Sequence, residues 1–519
     1  MNPRVFREYD IRGHAERDFP DTFVTDLGRS MGAYFAERGA RRITLGRDCR
    51  LSSPRIHAAL KRELLASGLD VVDVGIVHTP ALYFSVFHLH ADGGVMITAS
   101  HNPGEDNGFK VVYGKSTIYG AEIQKLRLAI EARAFRAGAP AGTASDHDIL
   151  RDYVDYVAAN IRLGPRRFKI VVDGGNGTGG LAILPILAKL GLDADGIYCD
   201  PDGRFPNHHP DPTVPENLVD LVARVRASGA EVGIALDGDA DRVGAVDGEG
   251  RILWGDQLVM LFARDILTRQ PGATFVSEVK CSQALFDDIT SRGGRAVMWK
   301  VGHSLIKVKM KQENAALAGE MSGHMFFADR WFGFDDAVYA GLRLIELLTQ
   351  SPKTLAQLFD TLPVLHNTPE IRMPCPDDLK FEVVKRAVSW FSERYKVVDV
   401  DGARVTFEEG GRNVGWGLVR ASNTGPVLVM RFEADTRARL AEIRALIEDR
   451  LRGIIADVAA LEKTRVPPES ARSPRGFAGI SAPRPPSYRW RFTIMKRVAL
   501  SFALPVLGLL LGAAKPASA

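Results

Sequence analysis

The chain has 519 residues, 45% of them hydrophobic and 25% charged, the balance of a globular protein that the length prior divides into roughly three or four domains. Its four cysteines, Cys49, Cys199, Cys281 and Cys375, lie far apart with no CxxC pair, which argues against a zinc site or a disulfide framework and fits a reducing cytoplasm. The net charge of +4 belongs to the tail, since from Arg465 onward nine basic residues face one acid; the body is net acidic and no nucleic-acid partner is expected.

In chain order, short β-rich runs alternate with longer helical patterns. "RRITLGRD" (Arg41 to Asp48), "DVVDVG" (Asp70 to Gly75) and "GGVMITAS" (Gly93 to Ser100) predict buried strands, with helical stretches such as "SPRIHAALKRELLAS" between them. This is the βαβ pattern of a mostly parallel sheet. It recurs in "FKIVVDGGNGTGG" (Phe168 to Gly180), in "EVGIALDGDADR" (Glu231 to Arg242) and again from "ATFVSEV" (Ala273 to Val279). Past Pro374, "YKVVDVDGARVTF", "GWGLVRAS" and "PVLVMRFEA" are closely spaced strands joined by short turns, followed by a helix from Thr436 to Leu461. The expected fold class is α/β: three similar mixed α/β domains, a smaller α+β C-terminal domain, and a disordered C-terminal tail. The expected bounds are 1–147, 148–251, 252–368 and 369–462, with 463–519 as the tail.

The tail has two parts. Arg465 to Arg491 is rich in proline and arginine and cannot bury enough apolar surface to fold alone. Met495 to Ala519 has a basic start, an uncharged run from Val498 to Ala514 and a terminal "ASA", the layout of a secretory signal peptide at the wrong end of the chain. A joined neighbouring reading frame is the favoured reading, beside a membrane anchor interrupted at Pro505 or a plain apolar tail. Without an anchor, no membrane association is expected.

Four loops carry chemistry. In "TASHNPGEDNGFK" (Thr98 to Lys110), Ser100 follows the carboxyl end of a strand, where open α/β sheets bind ligands. Activation by a histidine would need His101 to turn back on its neighbour, an awkward geometry. "DGDADR" places Asp237, Asp239 and Asp241 at alternating positions, so that in an extended turn three carboxylates converge. Their repulsion calls for a cation, and oxygen-only ligands select Mg²⁺ or Ca²⁺, with Mg²⁺ favoured because Arg242 and Gly248 stand where a calcium loop needs glycine and glutamate. "GEMSGH" (Gly319 to His324) offers an acid, a hydroxyl and an imidazole to a polar ligand, and "RASNTGP" (Arg420 to Pro426) offers a cradle for phosphate.

These four stretches, in this order, resemble the signature loops of the α-D-phosphohexomutase superfamily over about residues 4 to 460; "FREYDIRG" and "WFGFDDAVYA" also resemble its bacterial phosphomannomutase/phosphoglucomutase branch. The resemblance implies a phosphate carried on Ser100, donated to a hexose 1- or 6-phosphate through a hexose 1,6-bisphosphate. It implies Mg²⁺ held by Ser100, Asp237, Asp239 and Asp241, with glucose 1,6-bisphosphate as activator and Arg12, Lys110 and Arg242 balancing charge. Lys110 or His324 would move the proton. Glu320 and Ser322 would contact the sugar O3 and O4 hydroxyls, Tyr9, Lys280 and His303 would make further substrate contacts, and Arg420, Ser422, Asn423 and Thr424 would grip the phosphate that is not reacting. The implied partners are mannose or glucose phosphates, and the implied state is a monomer. Phosphoglucosamine mutase is the alternative within the family; a metal-dependent phosphatase or a silent phosphosugar-binding protein is the alternative outside it.

Overall fold

The computed structural model describes residues 1–135, 140–422 and 425–465, with side chains to 460. Phe23, Val24, Leu27, Met31 and Phe35 recur at helical spacing on the helix Asp21–Glu37 and share one core with Ile43, Leu45 and Val95 of the first sheet. In that sheet Arg42–Arg47 pairs in parallel with Asp70–Ile76 and with Gly93–Ile97. The next strand, Asp106–Tyr113, returns antiparallel along Gly93–Ile97, and Ile11–His14 is antiparallel to it. The sheet is therefore mixed, with its parallel part centred on Arg42–Arg47. The short passage 98–105 leaves no room for a crossover helix, so the chain can only come back antiparallel.

The second and third sheets repeat this plan. Ile170–Asp173 pairs in parallel with Ala194–Ile197 and Val232–Leu236, and Val243–Asp247 then returns antiparallel along Val232–Leu236. Thr274–Glu278 pairs in parallel with Arg295–Trp299 and Leu317–Gly319, and Met325–Phe327 returns antiparallel along Leu317–Gly319. The loops containing Ser100, Asp237 to Arg242 and Glu320 to His324 thus occupy the same turn in three successive repeats: the reversal from the last parallel strand to its antiparallel neighbour.

The fourth sheet is antiparallel throughout, with Ala403–Glu409, Arg412–Ala421 and Val427–Ala434 at its centre and the helices Lys380–Ser392 and Arg437–Arg465 beside it. Met1–Thr464 form one unit. Its interior is continuous across the repeats: the helix Ala337–Gln350 is buried on almost every face and shares a core with Tyr83, Ile183, Ile234 and Leu258. No helix among the described residues is long and apolar enough to cross a membrane. The expectations for the tail beyond Arg465 fall outside the described residues.

Candidate active site

Ser100 is 2% exposed and has φ of +52°, in the left-handed region that a residue with a Cβ adopts at some cost. Arg50 holds the loop in that state. Its guanidinium is wholly buried, paired to Asp48 at 3.1 Å, and donates to the carbonyls of Ser100 (2.8 Å), Asn102 (2.6 Å) and Asp106 (3.0 Å) as well as Pro103. The left-handed turn also swings His101 back onto its neighbour, with Nδ1 3.1 Å from Ser100 Oγ. The geometry judged awkward from sequence is therefore adopted. Burial, then Arg242 and Arg12, hold His101 well below its ordinary value, so the ring is neutral.

Ser100 Oγ donates to Asp237 Oδ2 at 2.7 Å. The approach depends on Gly238, where a Cβ would lie 2.5 Å from the Ser100 carbonyl oxygen. Asp237, Asp239 and Asp241 do converge, through a tight turn with Ala240 at φ +53° rather than an extended one. Asp237 Oδ1 accepts the backbone N–H groups of Asp241 (3.0 Å) and Arg242 (3.1 Å); Asp239 Oδ2 accepts from Thr79 Oγ1 (2.6 Å) and from Lys110 Nζ (2.8 Å), which also pairs with Asp241.

This cluster fits a divalent cation. All three carboxylates are buried, each offers an oxygen within 4.8 Å of the others, and Asp239 Oδ1 and Asp241 Oδ1 have no hydrogen-bond partner. Burial, then Asp241 and Asp239, push Asp237 well above the usual carboxylate range, so full ionisation of the trio needs further positive charge. Oxygen donors alone select a hard ion such as Mg²⁺.

The third loop meets the second edge to edge, with the Val243 N–H donating to the Gly323 carbonyl at 3.0 Å. Across this seam Arg242 Nε donates to His324 Nε2 at 3.0 Å. His324 Nδ1 then faces Asp335 Oδ2 at 3.4 Å and Asp241 Oδ1 at 3.7 Å. Asp335 is fully buried, pairs with Lys307 at 2.9 Å and also lies 3.6 Å from His303 Nδ1. Burial, then Lys307, hold His303 well below its ordinary value. Arg12 reaches the serine loop by donating to Asn102 Oδ1 at 2.9 Å.

Tyr9, Glu320 and, through Asp401, Arg420 gather with His303 around 301–303. Tyr9 donates to the Val301 carbonyl at 2.8 Å and packs edge-on against His303. Glu320 Oε1 accepts from Gly302 N at 2.7 Å, and Asp401 Oδ2 accepts from Val301 N and from Arg420 Nε, each at 3.0 Å. Lys280 is buried between Glu370 at 3.4 Å and Glu278 at 3.6 Å. Ser322 is partly exposed and Ser422 is buried, while Asn423 and Thr424 lie outside the described residues. Arg50, Thr79 and Lys307 belong to the site and lie in none of the motifs, and Asp335, within "WFGFDDAVYA", belongs to it without having been given a role.

Four family models match this chain in succession between residues 3 and 450. Phosphoglucomutase/phosphomannomutase alpha/beta/alpha domains I, II and III match residues 3–137, 151–250 and 254–365, and the C-terminal domain matches 370–450. The chain is 44% identical over 453 residues to the phosphomannomutase/phosphoglucomutase of Pseudomonas aeruginosa, covering 87% of this chain and 96% of that one. It is 43% identical over 443 residues to the phosphoglucomutase of Neisseria gonorrhoeae, covering 85% and 95%. A crystal structure of a phosphoglucomutase/phosphomannomutase family protein from Burkholderia thailandensis superposes with a TM-score of 0.80 at 39% identity, over 88% of this chain and 98% of that one. With all four domain models matched and relatives of this identity covered almost whole, the chain belongs to the phosphoglucomutase/phosphomannomutase family of phosphohexomutases.

Proposed function

We propose that the chain interconverts hexose 1-phosphates and hexose 6-phosphates of mannose and glucose, through a phosphate carried on Ser100 and a hexose 1,6-bisphosphate that reorients in the site. The observation that carries this reading is the meeting of Ser100 Oγ with Asp237 at 2.7 Å, inside a ring of carboxylates and cations contributed by equivalent turns of three repeats. Family membership supports it. Phosphoryl transfer needs little covalent help from the protein beyond in-line positioning and neutralised charge, and the cations around Ser100 support this reading.

Asp237, Asp239 and Asp241, with the phosphate on Ser100, would hold Mg²⁺. When bound, the ion supplies Lewis-acid neutralisation of the phosphoryl oxygens. The P–Oγ bond breaks as the sugar oxygen bonds to phosphorus. The sugar hydroxyl loses its proton to His324 Nε2, whose lone pair is freed when Arg242 turns to the transferring phosphate and which later releases that proton to solvent; Ser100 Oγ takes up one proton from solvent in exchange, relayed by His101 Nδ1 beside it. Lys110, paired with Asp239 and Asp241, acts as a fixed cation beside the transferring phosphate. Arg420 and Ser422, with Asn423 and Thr424, grip the distant phosphate; Glu320, Ser322, His303, Lys280 and Tyr9 orient the sugar between. Binding energy far from the reacting atoms is thereby used for orientation.

The test is an assay with glucose 1-phosphate and mannose 1-phosphate, Mg²⁺ and a trace of glucose 1,6-bisphosphate. Conversion to the 6-phosphates that stops on chelation and in Ser100→Ala is expected. Release of inorganic phosphate in place of isomerisation would overturn the reading in favour of a phosphatase.

A further inference from the structure

A second cavity, about 340 Å³ in volume, shares a wall with the catalytic cluster. It lies between the first and third repeats, and the shared wall is made by Tyr83 and Lys307. The Tyr83 ring lines the cavity, while its buried hydroxyl has no hydrogen-bond partner and feels the charges of Asp335, Lys110 and Asp241. Lys307 lines the cavity with its ammonium 4.7 Å from the Tyr83 ring centre and pairs with Asp335 at 2.9 Å on the catalytic side.

The lining has a definite chemistry. Phe87 stands 4.9 Å from Phe332 and 5.7 Å from Phe334, ring centre to ring centre, in tilted packing, which gives the cavity an aromatic wall with the Lys115 ammonium 5.1 Å from the Phe87 ring centre. Lys115 and Lys311 join Lys307 around it, no carboxylate lines it, and neither Lys115 nor Lys311 has a carboxylate partner among the described residues. Burial holds the Lys307 ammonium below its ordinary value although Asp335 opposes this, so an added anion would be welcome there. The volume falls at the lower end of the roughly 300–1,000 Å³ typical of small-molecule sites.

We propose that this cavity binds a small phosphate-bearing anion with a flat aromatic ring, the chemistry of a mononucleotide, and that its phosphate draws Lys307 away from Asp335. The regulatory half of the proposal rests on the mutase reading above. Asp335 faces both His324 and His303, so a ligand that competes for Lys307 changes how those rings are held. Such a ligand alters turnover chiefly through His324, with His303 the one sugar contact it reaches, which is a coupling between two distinct sites.

The experiment titrates the full-length protein calorimetrically with adenosine 5′-monophosphate, and separately with inorganic phosphate and with adenosine. A single site with a dissociation constant below about 1 mM for the nucleotide is expected, with each half binding at least about tenfold more weakly. Lys115→Ala/Lys311→Ala removes two exposed, unpaired cations outside the catalytic machinery; it should keep basal turnover and weaken the nucleotide about tenfold, and Lys115→Glu/Lys311→Glu should abolish binding. In wild-type protein the bound nucleotide should lower kcat at least about twofold, with a smaller change in KM for glucose 1-phosphate through His303, and should leave kcat unchanged in the double variants. Absent binding, unaltered binding in the variants, phosphate binding as tightly as the nucleotide, or a rise in KM alone would overturn the site. Binding with unchanged kcat would overturn the link through Lys307. Because binding is read as heat, a chain that holds the nucleotide yet isomerises no sugar phosphate would retain the cavity and remove the mutase.

Discussion

Arg242 Nε donates to His324 Nε2 at 3.0 Å, which fixes the tautomer of His324: the ring proton sits on Nδ1, toward Asp335. A carboxylate behind a histidine holds the ring's orientation and stabilises its protonated form. Asp335→Asn is expected to lower kcat by about 10- to 100-fold with KM changed less than about twofold, in steady-state assays of the Mg²⁺-loaded enzyme. An unchanged kcat would show that His324 needs no such support.

Arg50 is expected to be the main clamp on the serine loop. Arg50→Met removes one donor from each of four carbonyl oxygens and leaves the Asp48 carboxylate, which keeps Ser53 Oγ and the backbone N–H of residue 50, without its buried counter-charge. Breaking a buried pair in this way costs about 3–5 kcal/mol, to be read as a shift in the urea midpoint. Turnover should fall further than stability alone explains, because the strained φ of Ser100 loses its tether.

Gly238→Ala tests the close approach of two loops. The new Cβ would meet the Ser100 carbonyl at 2.5 Å, and that atom is backbone, so the loops must part. A displacement of about 1 Å at a reacting group is enough to lower kcat about 100-fold. Mg²⁺ dependence should shift to higher concentration in the same variant; wild-type kcat and metal dependence would contradict the packing described for these loops.

Much of this site is legible in sequence where chemistry is carried by neighbours along the chain, as with Ser100 after its strand or the alternating Asp237, Asp239 and Asp241. Arg50 is not legible, because the carbonyls it serves come to it only after folding, some fifty positions away. Asp335 and Asp336 stand side by side before a helix, where either could be its cap. Asp336 is the cap, accepting from Tyr339 N at 2.9 Å, and Asp335 turns to the histidines. The turn of His101 onto Ser100 reads as awkward in sequence, and it is reached through a positive φ at Ser100 that residues with a Cβ disfavour. The alternation of strands and helices showed the three α/β repeats, but apolar runs do not reveal pairing direction, so the antiparallel return that carries all three catalytic loops was not seen.

Asp336 also gives the fold a pH dependence of its own. Burial pushes its carboxyl up to about 7, against an ordinary value near 3.8. Between those values the unfolded chain has released a proton that the folded chain keeps, so this group's contribution to stability falls as pH rises from about 4 to about 7 and is level above. Asp336→Asn keeps an acceptor for Tyr339 N and cannot ionise. It should flatten this part of the curve and stabilise the protein at pH 8 by about 1–3 kcal/mol, measured by urea unfolding across that range. An identical slope in the variant would assign the dependence to other groups.

The central claim is that Ser100 carries the phosphate, and intact mass spectrometry tests it most directly. Protein incubated with Mg²⁺ and glucose 1,6-bisphosphate is expected to gain one phosphoryl group, mapped to the peptide containing Ser100, and to lose it again on addition of glucose 6-phosphate. Ser100→Ala should gain none. A folded wild-type protein that takes up no phosphoryl group, or a variant that takes up as much, would contradict the account.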